Sequence, residues 1–502
     1  MLRCDDVERR DRRRWPHIIA LFVLAVSVRF YRLGEQNLWL DEVVQVHIAS
    51  QSPVEIVRNY RPNSERGRRD QAPLSFLVLH PMVQLGPIEW SARVPSAIFG
   101  SLDVLTVYAV GCEIVSIPLA LTAALLVGVA PMHVWYSQDA RWYAQWGWFT
   151  TLSYLAFVRM WRRDNVSSWF GYALAVLCGI YTFIFSFFVL ACQLVSACWL
   201  SRMRPERAGF LRKLIVVHVI VVIACAPVLW VILKQLNLST GTPRSTTWWA
   251  LPYTAFAFVA GFSLGPTLEY LHQLPSVTRL AVDHPITIVV LATSSVLLAR
   301  AVTEVARRSE MAAVIVPWCV GIPLCVFALT KLTHVTYQAR YGFPAVAALM
   351  LLLSLSIHAP RRHWWERAAS VVMVACMVGS LANLYWNARY GKEDVRGALA
   401  YVRAAAVPGA RVIPLGQIDI AVDFYGRDLP LGRAGNCSAA ARDDQPSGWL
   451  WIMIGRDWNG DAVRCFEQLG ESYVTVEQRR FVGIDLRLVR RAESDGRTPL
   501  DT

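Results

Sequence analysis

The chain has 502 residues, of which 55% are hydrophobic and 17% are charged. Soluble domains carry roughly a quarter charged residues, so this composition argues against a soluble enzyme. The formal net charge is +13, but the arginines lie in clusters between apolar runs. That arrangement indicates membrane topology rather than nucleic-acid binding.

Apolar runs long enough to approach a membrane span recur along the chain. The first run, 18–28, follows three arginines as in a signal peptide. No small-residue cleavage motif comes after it, so we predict an uncleaved first span. In all, hydropathy predicts about eleven spans. They lie at about 17–33, 94–112, 117–134, 142–160, 168–184, 187–201, 211–233, 285–306, 312–330, 341–358 and 366–386.

The arginine clusters predict the orientation of the chain. They lie at 9–14, 162–163, 202–213, 307–308 and 361–367. With the N-terminus in the cytoplasm, the predicted spans place all of these clusters on the cytoplasmic side, as the positive-inside rule requires, and the odd number of spans places 390–502 outside. We therefore predict a multi-pass protein of the plasma (inner) membrane whose C-terminal region is extracytoplasmic.

Composition divides the chain into three parts. An Arg-rich cytoplasmic N-terminus covers 1–16, and an all-α polytopic membrane domain covers 17–387, with a first outside loop at 34–92. From 388 to 502 the sequence has mixed charge and short β-like runs, which predict a small extracytoplasmic α/β domain.

Two apolar segments outside the predicted spans need separate assignment. The segment 72–85 is short and contains two prolines, so we predict an interfacial helix within the first outside loop. If it spanned the membrane, every later orientation would invert. The segment 247–263 is predicted to form an amphipathic lid lying on the membrane; a missed span is the alternative.

Cysteine and histidine give weak signals. Nine of the eleven cysteines fall in or near spans without metal-ligand spacing and fit small apolar side chains. Cys437 and Cys465 lie in the predicted outside domain, where disulfides persist, and a bridge between them is open. His133 and His218 are predicted to be satisfied within helices.

Three groups of ionisable residues lie at predicted outside ends of spans. Asp41 and Glu42 follow the first span, and on a helix they would point about 100° apart. The second group is Gln138, Asp139, Arg141 and Tyr143, and the third is Lys331, Tyr337, Arg340 and Tyr341, with His334 between. Helix-dipole, surface-pair and snorkelling roles are the simpler explanations for each group alone.

Together the three groups suit a reaction between an anionic lipid head group and a hydroxyl. Cations would neutralise the developing phosphate charge, and a carboxylate would deprotonate the acceptor. Arginine and lysine fit the first role and aspartate fits the second.

Five short motifs, in this order, resemble the GT-C glycosyltransferases related to protein O-mannosyltransferases and lipid A sugar transferases. They are Trp39-Leu40-Asp41-Glu42; 72–76 with His80; 92–100; 137–144; and Arg340-Tyr341 with Pro344. The resemblance covers roughly the first 360 residues. The chain departs from the family at Ala72, where a second proline is more common, and at Asp139, where glutamate is more common.

The resemblance implies a role for each group. Asp41 stands at the position of the general base, Glu42 is the neighbouring acid, and Asp139 with Arg141 forms the acid-and-arginine pair of the second loop. Arg340 and Lys331 would contact the carrier phosphate, and Arg93 would lie at the mouth of the second span. The predicted substrate pocket consists of Tyr143, Gln138, His80, Tyr337 and Tyr341.

The predicted function is transfer of a sugar, hexosyl or pentosyl, from a polyprenyl-phosphate donor to a lipid, glycan or protein acceptor. Membrane lipids are expected partners and nucleic acid is not. No cofactor is certain, and a divalent cation could be held by Asp41, Glu42 and Asp139. The alternatives are a polytopic transporter or lipid flippase, which would show repeated halves and midplane charges, and a non-catalytic assembly factor.

Overall fold

The computed structural model divides the chain into two compact units. It describes residues 15–60, 71–236, 247–267, 270, 277–333, 337–432, 448–457, 460–470 and 473–492. The larger unit comprises 1–33, 45–266 and 276–386, and the smaller comprises 34–44, 267–275 and 387–502. The predicted residue His334 lies outside the described residues.

The larger unit is helical. Its described helices are α1 (Trp15–Phe30), α2 (Leu40–Ala49, which begins in the smaller unit), α3 (Pro53–Asn59), α4 (Leu74–Leu79), α5 (Ile88–Ser91), α6 (Val94–Ile114), α7 (Ile117–Val129), α8 (Pro131–Ser137), α9 (Tyr143–Arg163), α10 (Val166–Thr182), α11 (Ser186–Met203), α12 (Ala208–Ala224), α13 (Ala226–Leu236), α14 (Ala250–Ala260), α15 (Val277–Asp283), α16 (Ile286–Ala306), α17 (Ser309–Val316), α18 (Ile322–Leu332), α19 (Ala345–Ile357) and α20 (Trp364–Trp386). Short 3₁₀ turns cover Met82–Gln84, Pro205–Arg207 and Ala339–Gly342, and a π-turn covers Pro317–Gly321.

The apolar helices are those of a multi-pass membrane protein. Among the described residues, five helices are long and apolar enough to cross a membrane, and up to seven if each bent pair is one span. The helices follow the predicted runs closely: the run predicted at 94–112 is Val94–Ile114, and that at 366–386 is Trp364–Trp386. The number of about eleven stays a prediction, as does the orientation of the termini.

Proline divides two of the predicted spans. Helices α7 and α8 meet at an angle of 60° at Ala130, directly before Pro131. Proline cannot supply the backbone N–H that would continue the helical ladder, which accounts for the bend. The run predicted at 211–233 is likewise bent, by 64° between Ala224 and Ala226, directly before Pro227. The run predicted at 312–330, in contrast, stays one helix across the π-turn that starts at Pro317.

The segment 72–85 contains only short helical pieces, α4 and the 3₁₀ turn Met82–Gln84, as predicted for a helix that does not span the membrane. Helix α14 differs from the predicted amphipathic lid. The side chains from Phe256 to Ala260 are all at most 3% exposed. Because buried side chains cover the whole circumference of this C-terminal half, it is packed inside the helical unit, whereas Pro252 and Ala255 in the first half of α14 are exposed.

The smaller unit contains a four-stranded sheet flanked by helices. After a 3₁₀ turn (Ala388–Tyr390) come α21 (Val395–Ala405), β1 (Arg411–Gly416), α22 (Asp419–Tyr425), β2 (Trp449–Gly455), α23 (Asp461–Leu469), β3 (Tyr473–Phe481) and β4 (Ile484–Arg491). The strand order is β1-β2-β4-β3, with β1 parallel to β2 and the other pairs antiparallel. The observed elements match the α/β composition predicted for the C-terminal region.

Local sequence explains the elements of the smaller unit. Strand β2 is almost wholly buried, as its apolar sequence requires for a central strand, whereas the edge strand β3 is mostly exposed. Helix α21 begins where the Asp394 carboxylate accepts a hydrogen bond from Gly397 N. Its buried residues Val395, Leu399 and Val402 follow the spacing of one helix face.

Candidate active site

Helix α2 carries the two acids of the first outside loop. It begins at Leu40, so Asp41 and Glu42 lie in its first turn, as the sequence predicts. Both are buried: Asp41 is 4% exposed and Glu42 is fully buried. The Glu42 carboxylate also accepts a hydrogen bond from Trp39 N at 3.2 Å, which caps the start of the helix.

Lys392 provides a counterion for Glu42. Its Nζ lies 2.9 Å from Glu42 Oε2, and its side chain is 8% exposed. A buried carboxylate is tolerated only when it is paired and hydrogen-bonded. Glu42 therefore forms an ion pair with Lys392 within the smaller unit.

The residues before α2 are bound to the sheet part of the smaller unit. Asn37 donates a hydrogen bond to the Glu393 carbonyl at 2.7 Å, and Leu38 N donates to the Tyr425 hydroxyl at 2.8 Å. The Arg456 guanidinium lies 4.5 Å from the Trp39 ring centroid, within cation–π range. The first-loop motif and the C-terminal region thus form one folded body.

Sequence reasoning missed Lys392 and Arg456. Neither lies in a recognisable motif, and each is more than 340 positions from the first-loop residue that it contacts, Glu42 for Lys392 and Trp39 for Arg456. The available signal was the apolar sequence around two adjacent acids, because acids that become buried there require a cation from elsewhere in the chain.

In the larger unit, the segment 137–141 joins α8 to α9 and carries the second predicted group. Gln138 donates hydrogen bonds to the carbonyls of Arg29 and Tyr31, at 3.0 and 2.8 Å. Ser96 Oγ donates to the Arg141 carbonyl at 2.9 Å. Asp139 and Arg141 are almost completely buried. The turn is consequently held on both sides by neighbouring helices.

Tyr143 brings two of the predicted cations to one place. The guanidinium carbon of Arg141 lies 5.8 Å from the Tyr143 ring centroid, and that of Arg340 lies 5.7 Å from it. The Arg340 guanidinium also lies 6.0 Å from the Tyr341 ring and donates to Gln338 Oε1. Arg141, Tyr143, Arg340 and Tyr341 form the cluster that we call the arginine–tyrosine cluster.

Packed aromatic rings continue from this cluster. Trp142 stacks on Phe183 with 3.6 Å between centroids, and Phe183 stacks on Tyr341 at 5.9 Å. Tyr136 lies 4.4 Å from the Tyr143 ring. Apolar walls lower the local dielectric and strengthen the attraction of the two arginines for an anion.

The other predicted site residues make different contacts. His80 Nδ1 lies 2.8 Å from the Ala49 carbonyl, and Arg93, 2% exposed, donates to the Leu33 carbonyl at 2.9 Å. Through these contacts His80 and Arg93 connect loop and helix ends, which fits structural roles.

The remaining predicted site residues, Tyr337 and Lys331, contact neighbouring helices. Tyr337 shares a 2.7 Å hydrogen bond with Thr254, and Lys331 lies over the Phe327 ring.

Two predictions concern metal and sulfur chemistry. Among the described residues, no group of three or more His, Cys, Asp or Glu is arranged to hold a metal ion. Cys465 is disulfide-bonded. Cys437, for which the sequence leaves a bridge to Cys465 open, lies outside the described residues.

Asp41 and Glu42 belong to the smaller unit, and Asp139, Arg141 and Arg340 belong to the larger one. The predicted proximity of Asp41 to the two arginines stays a prediction. The smaller unit contains the two buried carboxylates, and the larger unit contains the two guanidinium groups next to tyrosine rings. These are the kinds of group that the predicted sugar transfer needs.

The fold is of the GT-C type. The chain is similar to ArnT from Cupriavidus metallidurans in the apo state, with a TM-score of 0.55 and 13% identity over 94% of this chain and 97% of that one. ArnT bound to undecaprenyl phosphate matches at 0.53, with 12% identity and the same coverage. The archaeal oligosaccharyltransferase AglB from Archaeoglobus fulgidus, in complex with an inhibitory peptide and a dolichol-phosphate, matches at 0.50, with 12% identity over 98% of this chain and 75% of that one.

No protein-family model matches the sequence, and no curated protein matches it significantly. At 12–13% identity the structural likeness establishes the fold alone.

Proposed function

We propose that this protein is a membrane glycosyltransferase that moves a sugar from a polyprenyl-phosphate donor to a hydroxyl acceptor on the extracytoplasmic face. The acceptor is a lipid, a glycan or a protein. The observation that carries the proposal is the arginine–tyrosine cluster, in which Arg141 and Arg340 flank one tyrosine ring.

The cluster has the chemistry of a lipid-phosphate site. Guanidinium groups present planar sets of donors that match phosphate oxygens, and they keep their charge at any physiological pH. When the sugar leaves, the departing phosphate gains charge, and fixed cations in an apolar setting stabilise it. One solved structure of ArnT is bound to undecaprenyl phosphate and one of AglB is in complex with a dolichol-phosphate, which supports a carrier of the same class here.

Asp41 is assigned as the general base. Asp41 is buried in the first turn of α2 and stands at the position of the general base in the GT-C motif that the sequence resembles, next to the Glu42–Lys392 ion pair. In the proposed step the acceptor oxygen attacks the anomeric carbon, its proton passes to Asp41, and the bond from that carbon to the phosphate oxygen breaks. The products are the glycosylated acceptor and polyprenyl phosphate.

The test is a transfer assay with the purified full-length chain in lipid nanodiscs. A panel of polyprenyl-phosphate hexoses and pentoses would be offered with lipid, glycan and peptide acceptors, and released polyprenyl phosphate would be measured. We expect release with at least one donor. Movement of a donor across vesicle membranes without any transfer would contradict the proposal and favour a flippase.

The Asp41→Asn variant tests the assigned base. We expect transfer to fall by at least about a hundredfold, the scale of a lost general base, with binding of the donor unchanged. Glu113→Gln is a matched control, because that carboxylate contacts the arginines of α9 at 2.9–3.9 Å and has no assigned catalytic role. Full transfer activity in Asp41→Asn would remove Asp41 from the mechanism.

A further inference from the structure

Three ionisable side chains that the proposed chemistry does not use are buried together in the larger unit. Arg29 of α1, Asp103 of α6 and His133 of α8 are all at most 2% exposed. Arg29 Nη2 lies 2.9 Å from His133 Nδ1, and His133 Nε2 lies 2.9 Å from Asp103 Oδ2. The imidazole therefore bridges a cation and an anion inside a helical membrane domain, where such groups are costly and are usually paired or functional.

The geometry fixes the proton on the imidazole. A guanidinium can only donate hydrogen bonds, so His133 Nδ1 must accept the bond from Arg29. In the neutral ring the proton then resides on Nε2, which points at the Asp103 carboxylate. Both imidazole nitrogens are thus hydrogen-bonded without a charged histidine, while the second carboxylate oxygen of Asp103, Oδ1, is buried and makes no hydrogen bond within the described part of the structure.

Arg29 also donates hydrogen bonds to backbone carbonyls at the break between α7 and α8. Pro131 has no N–H, so the Val127 carbonyl lacks its usual partner four residues on. Arg29 Nη2 donates to that carbonyl, and Nη1 donates to the Gly128 carbonyl, both at 3.3 Å. The cation thus stabilises the 60° bend between α7 and α8.

The same network extends to the turn that carries Arg141. Ser137, the last residue of α8, lies 3.3 Å from Arg29 Nε. A Cβ at position 100 would come within 2.0 Å of Ser137 Oγ, so the glycine of α6 lets this helix end approach closely. The next residue, Gln138, donates to the Arg29 carbonyl, so Arg29 contacts the turn through both side chain and backbone.

We infer that Arg29, His133 and Asp103 are positioning residues that set the bend and hold the 138–141 turn, and with it Arg141, for the lipid phosphate. The placement of Arg141 for the lipid phosphate rests on the proposed function, whereas the role of the network in the bend and the turn does not. The two roles are therefore measured separately.

The experiment compares His133→Leu with His133→Gln in the full-length chain. Leucine removes the bridge, whereas a glutamine amide can accept from Arg29 and donate to Asp103. Hydrogen exchange of the peptide covering 137–142 reports the turn, and binding of undecaprenyl phosphate reports the cation site. In His133→Leu we expect faster exchange and affinity lower by about tenfold, the scale of one misplaced charge-assisted hydrogen bond. His133→Gln should restore most of the slow exchange and most of the affinity.

His218→Leu is the matched control, because that histidine also lies within a helix and contacts a tyrosine hydroxyl at 2.6 Å. It should alter neither readout. Unchanged exchange in His133→Leu, or faster exchange that His133→Gln fails to reverse, would overturn the role of the network in the turn. Faster exchange that leaves affinity intact would overturn the role of the network in placing Arg141 for the lipid phosphate. A wild-type protein that binds no polyprenyl phosphate would refute the proposed function, while the exchange data would still decide the role of the network in the turn.

Discussion

Glu42 and Lys392 show how one residue outside a motif determines what the motif can do. Glu42 is fully buried, and Lys392 neutralises it from a position 350 residues further along the chain. Removing one partner of a buried pair leaves an uncompensated charge, which costs far more than the pair contributes. The ion pair therefore makes the C-terminal region a structural requirement for the Asp41 motif.

We expect Lys392→Gln to destabilise the smaller unit by about 3 kcal/mol, because Glu42 is left charged and buried. Thermal melting of the purified protein would show it. The double variant Lys392→Gln with Glu42→Gln should recover most of the loss. Lys213→Gln is the control, since its pair with Asp164 is more than half exposed and such pairs contribute little. Equal melting temperatures for the two lysine variants would contradict this account.

At the residue level, the sequence predicted the local environment of neighbouring residues better than it predicted contacts between distant segments of the chain. Asp41 and Glu42 in the first turn of a helix, and the satisfied environments of His133 and His218, follow from local pattern and are confirmed. The Lys392 ion pair and the Arg29 network depend on contacts between residues 30 to 350 positions apart. No local periodicity encodes such pairings.

At the level of elements, the helices of the larger unit pack through small residues. Gly111 of α6 faces Ala120 of α7, and an added Cβ at position 111 would lie 2.7 Å from the Ala120 Cβ. Helices in membranes gain little from apolar burial alone and associate where small residues let backbones approach. The α6–α7 contact is of this kind.

Gly111→Ala should lower the melting temperature of the full-length protein. The new methyl group forces α6 and α7 apart, and this loss exceeds the helix propensity of about 1 kcal/mol that alanine gains over glycine. Gly171→Ala in α10 is the matched control, because a Cβ there meets no atom within 4 Å. Its melting temperature should stay the same or rise. A Gly111→Ala protein as stable as Gly171→Ala would show that the close contact is unimportant.

Hydropathy predicted where helices lie, because long apolar runs have few other stable forms in a membrane. Hydropathy did not predict where the helices bend or how deeply they are buried. The bend at Ala130 depends on Pro131 together with a distant arginine, and the burial of α14 depends on neighbours that no single run describes. Short apolar segments look alike whether they lie on a membrane or inside a protein.

For the whole molecule, the residues of the proposed site are divided between two folded units. The smaller unit carries Asp41 next to the Glu42–Lys392 ion pair, and the larger carries Arg141 and Arg340 near one tyrosine ring. The motif resemblance predicted the GT-C fold, and the similarity to ArnT and AglB confirms it. The sugar and the acceptor depend on fine pocket shape, which neither composition nor a shared fold determines.

The most direct test of the central claim is equilibrium binding of undecaprenyl phosphate, which needs neither sugar nor acceptor. Arg141→Gln and Arg340→Gln should each weaken binding by about tenfold or more, since each removes a cation from the phosphate. Arg159→Gln, which removes an exposed arginine of α9 that pairs with Glu113, should bind like wild type. Asp41→Asn should also bind normally while losing transfer. If both cluster variants bound the lipid phosphate as tightly as Arg159→Gln, the arginine–tyrosine cluster would not be the donor site.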